Sequence, residues 1–211
     1  MVKVAVLVSG GGSNLQAILD AKAAGRLENT ELCAVISSCE DAYALTRAER
    51  FGVPRFVINH SDYKTREAFT DAVLELLNKT GAELVVLAGF MFILSPKFCA
   101  AYKNRVINVH PSLIPAFCGD GFYGLRVHRA ALDYGVKLTG ATVHFVSEVT
   151  DGGPIILQKS VEIREEDTPE TLQKRVMEQC EWVILPEAVR LFCAGELRVT
   201  DGKVHIGGLS K

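Results

Sequence analysis

The sequence predicts an α/β fold, an open, mostly parallel twisted sheet with helices on both faces and antiparallel strands in the C-terminal half. Two observations support this prediction. In the first half, short apolar runs alternate with helical segments, a pattern that favours parallel pairing through right-handed crossovers. In the second half, two alternating segments lie a loop apart, which is typical of an antiparallel pair.

The predicted elements of the first half follow in regular order. Parallel strands buried on both faces are continuously apolar, and five such runs occur at residues 3–9, 31–38, 55–59, 83–90 and 105–110. Three segments between these runs carry apolar residues at helical spacing and end at glycine: residues 13–25, 42–52 and 65–81.

The second half has a different pattern. The antiparallel pair is predicted at residues 139–147 and 154–163, and a long helix follows over roughly 168–193. The turn TDGK at 200–203 joins two short strands in a terminal hairpin. Since no linker, repeat or low-complexity segment is apparent, we predict one domain over residues 1–211.

The composition is that of an ordinary globular chain, with 48% hydrophobic and 23% charged residues and a net charge of -2. No basic arm occurs, so the charge gives no support to a nucleic-acid or membrane-surface partner. The first residues lack the pattern of a signal peptide, so we expect a cytoplasmic protein with reduced cysteines. No cysteine or histidine has metal-ligand spacing, and no metal is predicted.

The segment SGGGSN, residues 9–14, connects the first strand to the first helix. Glycine permits positive φ, so the backbone N–H groups can turn inward, and the helix N-terminus adds partial positive charge. The segment is neither a dinucleotide fingerprint nor a P-loop, which favours a single small phosphate. The alternative is a plain strand–helix turn with Ser13 as the N-cap.

Asn108 and His110 share one face of the fifth predicted strand, because side chains repeat every two residues. Pro111 then ends the strand, so both side chains lie at the rim where ligands of parallel sheets bind. An amide can stabilise an oxyanion and an imidazole can move a proton. Asp151, in the turn TDGGP, would hold the tautomer of His110 and raise its pKa. The alternatives are turn chemistry for Asp151 and a backbone-bonded His110.

No nucleophile accompanies these residues. There is no G-x-S-x-G motif, and Cys118 lies eight residues beyond His110, past two prolines. The pattern therefore predicts direct transfer of an acyl group to the amine of a second bound substrate. A non-catalytic phosphosugar-binding module is the alternative, although it leaves Asn108, His110 and Asp151 without a role.

Four stretches resemble the phosphoribosylglycinamide formyltransferases, within the 10-formyltetrahydrofolate-dependent formyltransferase family: SGGGSNLQAI, VVLAGFM with ILSP, NVHPSLIPAFCG and TDGGPIILQ. The resemblance covers nearly the whole chain and implies a Rossmann-like formyltransferase fold. It implies a phosphate-binding half at 1–100 and a catalytic and folate-binding half at 101–211. The implied reaction passes formyl from 10-formyltetrahydrofolate to the amine of glycinamide ribonucleotide in purine biosynthesis, without a metal, in a monomer or homodimer.

The resemblance also implies roles for individual residues. The catalytic trio would be Asn108, His110 and Asp151. The ribonucleotide would be held by Gly12, Ser13 and Asn14 at its phosphate and by Glu181 at its glycinamide end. The folate would be bound by Arg66, Met91, Phe92, Ile93, Leu94 and Asn108. For Glu181 and Arg66 the alternative is an exposed helix charge, with Arg66 paired to Glu67 or Asp71.

Two departures from the family pattern occur. Phe92 stands where many members carry a basic residue, so any contribution of that cation to folate affinity is lost. Residues 119–132 form a longer segment than in short family members, and we expect a loop near the phosphate end with His128 preceding a helix.

Two relatives within the same chemistry fit less well. A methionyl-tRNA formyltransferase should carry a further C-terminal domain and a basic surface. A formyltetrahydrofolate hydrolase would use a similar trio with water as acceptor, and it has no use for a phosphate-binding loop.

Overall fold

A computed structural model describes residues 1–207, and its elements follow the predicted alternation. The strands are β1 (Val2–Val8), β2 (Thr30–Ser37), β3 (Arg55–Val57), β4 (Leu84–Leu87), β5 (Val106–His110), β6 (Leu138–Phe145), β7 (Ile155–Glu162), β8 (Leu197–Thr200) and β9 (Lys203–Ile206). The α-helices are α1 (Ser13–Ala23), α2 (Tyr43–Arg50), α3 (Arg66–Thr80), α4 (Pro96–Ala101), α5 (Leu125–Tyr134), α6 (Pro169–Val176) and α7 (Trp182–Cys193). A 3₁₀ turn lies at His60–Asp62 and a π-helical turn at Met177–Glu181.

Seven strands form one sheet in the order β3-β2-β1-β4-β5-β6-β7. Strands β1 to β5 pair in parallel, and β6 pairs antiparallel with both β5 and β7. The predicted fold class and the predicted antiparallel pair are therefore confirmed. The sheet draws strands from both predicted halves, 1–100 and 101–211, and the last four residues of the predicted domain lie outside the described residues.

The core has two layers because the central strands are buried on both faces. On β1, Val4, Val6 and Val8 face the layer that contains α1 and α7, whereas Ala5 and Leu7 face the layer that contains α3 and α4. All five side chains are fully buried. Burial of a Val or Leu side chain contributes about 1.5–3 kcal/mol. This two-sided burial explains why the strand reads as a continuous apolar run.

The predicted long helix over 168–193 is wrong in one respect, because the π-helical turn Met177–Glu181 interrupts it. A π turn takes an extra residue and widens the helix locally, often at functional sites. Pro186 follows inside α7 and is buried. A proline inside a helix cannot donate to the preceding turn, so the regular α-helical ladder is broken in this region.

Two further differences concern helices. Helix α4 was not predicted, because six residues are too few for a clear helical period; Ser95 caps it by accepting from the Phe98 amide at 3.3 Å, and Pro96 opens it. His128 was expected before a helix but lies within α5.

The predicted terminal hairpin is confirmed as β8 and β9. Within residues 1–207, no helix is long and apolar enough to cross a membrane.

Candidate active site

One cavity of about 680 Å³ lies at the carboxyl ends of β1, β4 and β5, where ligands of open parallel sheets bind. It is lined by Ser13 and Asn14, by the segment 89–94, by Asn108 and His110, by the loops 119–124 and 146–151, and by Gln173, Met177 and Glu181. Most of the predicted site residues therefore meet in one place. The two exceptions are Gly12 and Arg66.

The glycine-rich loop turns at Gly12, which has a φ of 71° and is itself the N-cap of α1. Ser13 was the N-cap in the alternative interpretation, but it is the first helical residue. Gly12 does not line the cavity. It packs beneath the loop, where a Cβ atom would lie 2.6 Å from the Cβ of Ala44. Only glycine fits here, since the position combines positive φ with a close approach.

Asn14 and Glu181 form a buried pair across the cavity wall, with Asn14 Nδ2 donating to Glu181 Oε2 at 2.7 Å. Glu181 is 6% exposed, so it does not lie on the solvated helix face that was its alternative. Burial raises the pKa of Glu181, and the hydrogen bond from Asn14 offsets part of that rise. The π turn places this carboxyl group against α1 and beside the cavity.

Asn108 and His144 lie opposite one another on β5 and β6. His144 Nδ1 is 2.9 Å from the carbonyl oxygen of Phe145, and a carbonyl can only accept, so Nδ1 carries the proton. In the neutral ring, Nε2 is then free to accept from Asn108 Nδ2 at 3.3 Å. This contact orients the Asn108 amide with its nitrogen toward β6.

His110 is buried between Phe117 and Asp151. Its Nε2 lies 2.9 Å from the Phe117 carbonyl oxygen, which fixes a proton on Nε2. Its Nδ1 faces Asp151 Oδ2 at 3.4 Å. The tautomer is therefore set by Phe117, where Asp151 was expected to set it. Burial lowers the pKa of His110, and the opposing effect of the Asp151 charge is smaller. Asp151 thus raises this pKa as expected, but desolvation outweighs its charge and the net shift is downward.

Asp151 occupies the turn between β6 and β7 with a φ of 53°. Its Oδ2 accepts from the Gly119 amide at 2.9 Å, and its Oδ1 lies 3.6 Å from His144 Nε2. Burial alone would raise the pKa of Asp151, but the neighbouring imidazoles of His144 and His110 and the hydrogen bond from the Gly119 amide lower it overall. Asp151 is consequently ionised at neutral pH, and its carboxylate faces the unprotonated nitrogen of His110.

The segment Met91–Leu94 forms an apolar ledge on the other side of the cavity. Met91 and Ile93 are 56% and 51% exposed, whereas Leu94 is buried. The Phe92 ring stacks on His60 with 3.9 Å between ring centroids. The Met91 amide donates to Ser9 Oγ at 3.0 Å, which ties the ledge to the glycine-rich loop.

Arg66 lies at the start of α3, outside the residues that line the cavity. Its guanidinium pairs with Glu67 at 3.2 Å, and both side chains are largely exposed. The structure therefore places Arg66 in the surface ion pair that was its alternative.

Sequence reasoning missed three contributors to the site: His144, the Phe117 carbonyl and Gln173. His144 could have been found from the sequence, because it is a polar residue in the apolar run of β6, on the same face as Thr142. A buried polar side chain needs a hydrogen-bond partner. The carbonyl of Phe117 could not have been found in this way, since any residue carries one. Gln173 precedes Met177 and Glu181 at four-residue spacing, which places all three on the cavity side.

No group of residues within 1–207 has the geometry of a metal site. Cys118 Sγ lies 3.3 Å from the Pro115 carbonyl, and burial raises the pKa of its thiol. A thiol with a raised pKa is a weak nucleophile. The cavity therefore offers side-chain amide donors, an imidazole–carboxylate pair, the first residues of α1 and an apolar ledge.

Residues 2–189 match the family model described as formyl transferase. The chain is 39% identical to a phosphoribosylglycinamide formyltransferase of Haemophilus influenzae, over 99% of this chain and 95% of that protein. It is 43% identical to a trifunctional purine biosynthetic protein adenosine-3 of Bos taurus, over 94% of this chain but only 19% of that protein. The chain thus spans about a fifth of the cattle relative.

Solved structures give the same result. The crystal structure of glycinamide ribonucleotide transformylase 1 from Symbiobacterium toebii matches with a TM-score of 0.91 and 45% identity, covering 98% of this chain and 94% of that one. Because the family model spans most of the described residues, this chain belongs to the formyl transferase family.

Proposed function

We propose that the chain transfers a formyl group from 10-formyltetrahydrofolate to the amine of N1-(5-phospho-D-ribosyl)glycinamide, as a step of purine biosynthesis. The observation that supports this most is the placement of Asn108, His110 and Asp151 in the same cavity as the first residues of α1 and an apolar ledge. An acyl transfer between two small molecules needs this combination of two binding regions and a shared polar centre.

The ribonucleotide would bind along α1 and the π turn. The N–H groups at the start of α1 suit a phosphate, and Ser13 lines the cavity beside them. Glu181 is buried against Asn14 with its carboxyl group at the cavity wall, where it can accept from the glycinamide end. Asn14 and Glu181 are 167 residues apart in the sequence, so only folding brings them into contact.

The folate would bind on the ledge Met91–Leu94, because an exposed apolar surface inside a cavity suits an aromatic ring system. Phe92 stacks on His60 and so contributes packing in place of a charge. Asn108 lies at the end of β5, next to β4 and the ledge that follows it. Arg66 would need a different side-chain conformation to contact a folate, since it pairs with Glu67.

The chemistry follows from the hydrogen-bond donors and acceptors that the side chains leave unused. The bound 10-formyltetrahydrofolate supplies the formyl group, which the amine attacks to give a tetrahedral intermediate. Asn108 has two amide hydrogens, and only one is directed at His144, so the other is free to donate to the developing oxyanion. Such a donor is worth about 3 kcal/mol of transition-state stabilisation.

The attacking amine must lose a proton. His110 Nδ1 and Asp151 Oδ2 face each other with lone pairs only, so a proton that reaches either atom would be shared between them. This pair would take the proton from the amine and return it to the departing folate nitrogen, which leaves the enzyme unchanged after each turnover.

The compartment, assembly and metal content are further parts of the proposal. We place the protein in the cytoplasm, since all six cysteines are free and a reducing compartment keeps them so. We expect a monomer or homodimer with small-molecule substrates and without a metal.

The test is to mix the purified protein with 10-formyl-5,8-dideazafolate and follow deformylated folate by absorbance, with and without glycinamide ribonucleotide. Release that depends on the ribonucleotide is the expected result. Release without it would instead indicate a hydrolase. Binding of the ribonucleotide without any release would leave the phosphosugar-binding module as the better description.

A further inference from the structure

Arg47 on α2 contacts the glycine-rich loop from behind. Its Nε donates to the Gly11 carbonyl at 2.8 Å, and its Nη1 donates to Gln16 Oε1 at 2.8 Å. Its guanidinium carbon lies 4.9 Å from the centre of the Tyr43 ring. Within residues 1–207 Arg47 forms no ion pair with a carboxylate, so its positive charge is not neutralised locally.

The carbonyls of two consecutive loop residues are both held by α2. The Gly10 carbonyl accepts from the Ala44 amide at 3.1 Å, and the Gly11 carbonyl accepts from Arg47. In a planar trans peptide the C=O and the following N–H point in opposite directions. The N–H groups of Gly11 and Gly12 are therefore turned away from α2, and neither has an acceptor among the described residues.

The cavity itself has no lysine or arginine among the described residues that line it. A phosphate monoester carries close to two negative charges at neutral pH, so a site without a cation relies on N–H groups and on charges behind them. Among residues 1–207, Arg47 is the cation whose side chain hydrogen-bonds to the loop backbone. It is half-buried, so solvent screens its field less than that of an exposed side chain.

We propose that Arg47 is a positioning residue for the phosphate monoester of the ribonucleotide. It orients the Gly11–Gly12 peptide so that the amide faces the phosphate, and it provides positive charge behind that amide without touching the ligand. This inference rests on the proposed function, because it assigns the source of charge for the same phosphate site.

The two contributions of Arg47 can be separated. Lysine keeps the charge but cannot hold the Gly11 carbonyl and Gln16 with a planar fork. Glutamine removes the charge and shortens the side chain. Arg50, one turn further along the helix, is exposed and 5.9 Å from the same Tyr43 ring, and it forms no hydrogen bond with the loop. Arg50→Gln is thus a matched control with the same change in net charge.

The experiment titrates glycinamide ribonucleotide into the wild type and the variants by calorimetry, and measures KM and kcat in parallel. We expect Arg47→Gln to weaken ribonucleotide affinity by about 10- to 100-fold, as for loss of a charge-assisted hydrogen bond, with kcat at saturation changed less than about threefold. Arg47→Lys should recover part of the loss. Arg50→Gln should stay within about twofold of the wild type.

Equal affinities of Arg47→Gln and Arg50→Gln would overturn the inference. Affinity for the folate analogue, which the proposed function places on the ledge Met91–Leu94, shows whether each variant is folded. If Arg47→Gln fails to fold, Gln16→Leu removes one contact of Arg47 and should weaken ribonucleotide affinity in the same direction; unchanged affinity would overturn the inference. A wild type that does not bind the ribonucleotide would refute the proposed function instead, and inorganic phosphate titrated into the same variants would then decide the role of Arg47.

Discussion

Asn108 and His144 face each other across β5 and β6, with Asn108 Nδ2 3.3 Å from His144 Nε2. The Phe145 carbonyl holds the proton of His144 on Nδ1, so Nε2 can act as an acceptor for the amide. A single backbone carbonyl therefore determines how the Asn108 side chain is oriented. One N–H of Asn108 is used in this contact, and the other is available to a substrate.

The first prediction concerns Asn108→Ala. This variant removes the proposed oxyanion donor while leaving the phosphate loop intact, so we expect kcat to fall by about 10²- to 10³-fold. Ribonucleotide affinity should stay within about threefold of the wild type. Steady-state kinetics and calorimetry measure both quantities. Unchanged turnover would show that Asn108 is not in the reaction path.

The second prediction concerns Asp151→Asn. The variant loses the carboxylate that, in the proposed reaction, shares the proton of the amine with His110, so we expect kcat to fall by at least about 10²-fold. The Asp151 charge raises the His110 pKa, although burial dominates and lowers it below 6.5 overall. Removing that charge should shift the acid limb of kcat to lower pH, as measured by the pH–rate profile. Asp133→Asn, an exposed change on α5, is the control and should leave the profile as it is.

The third prediction concerns Gly12→Ala. The new Cβ would lie 2.6 Å from Ala44 Cβ at a φ of 71°, so the loop must move. Gly25→Ala is the matched control, because Gly25 has a φ of 73° but open space around it. We expect the control to lose about 1 kcal/mol of unfolding free energy and Gly12→Ala to lose about 1–3 kcal/mol more. Urea unfolding measures this difference, and ribonucleotide affinity should fall for Gly12→Ala alone.

The fourth prediction concerns the stability of the protein in acid. His128 in α5 is 0% exposed, and neither ring nitrogen has a partner among the described residues. Burial lowers its pKa from 6.5 to about 4. A lowered pKa stabilises the fold above pH 6.5, and that stabilisation is lost as the pH falls toward 4, up to about 3 kcal/mol.

Replacing His128 tests this prediction. His128→Leu should remove most of the decline in unfolding free energy between pH 6.5 and 4, and His110, whose pKa is also lowered, should account for a residual slope. The exposed His205→Gln should keep the wild-type slope. Urea unfolding across this pH range is the measurement. Identical slopes for wild type and His128→Leu would contradict the assignment.

Most strands could be predicted from the sequence because their signal is local. The run Val4–Val8 is apolar at every position, and a strand buried on both faces requires that. The same holds for Leu84–Leu87. Helix α4 escaped prediction because six residues complete fewer than two turns. The π turn also escaped it, since one extra residue in a helix leaves the apolar spacing nearly unchanged.

Site residues could be predicted from the sequence where their position on a strand is enough to place them at the cavity. Asn108 and His110 end a parallel strand, so their place at the sheet rim follows from alternation and from Pro111. For Glu181 and Arg66, only the family resemblance predicted a role in the site, and the alternative for both was an exposed charge on a helix. The structure separates them: Glu181 is buried against Asn14, whereas Arg66 lies on the surface beside Glu67.

Local sequence patterns predict most strands and helices in order, the turn at the glycine-rich loop and the strand end that presents Asn108 and His110, because each depends on neighbours within a few residues. What those groups can do depends on the tertiary structure. The Phe117 carbonyl sets the tautomer of His110, and burial lowers the pKa of His110 by more than the Asp151 charge raises it. Such effects depend on atoms from distant segments and on the loss of water around them, which no local pattern of residues records.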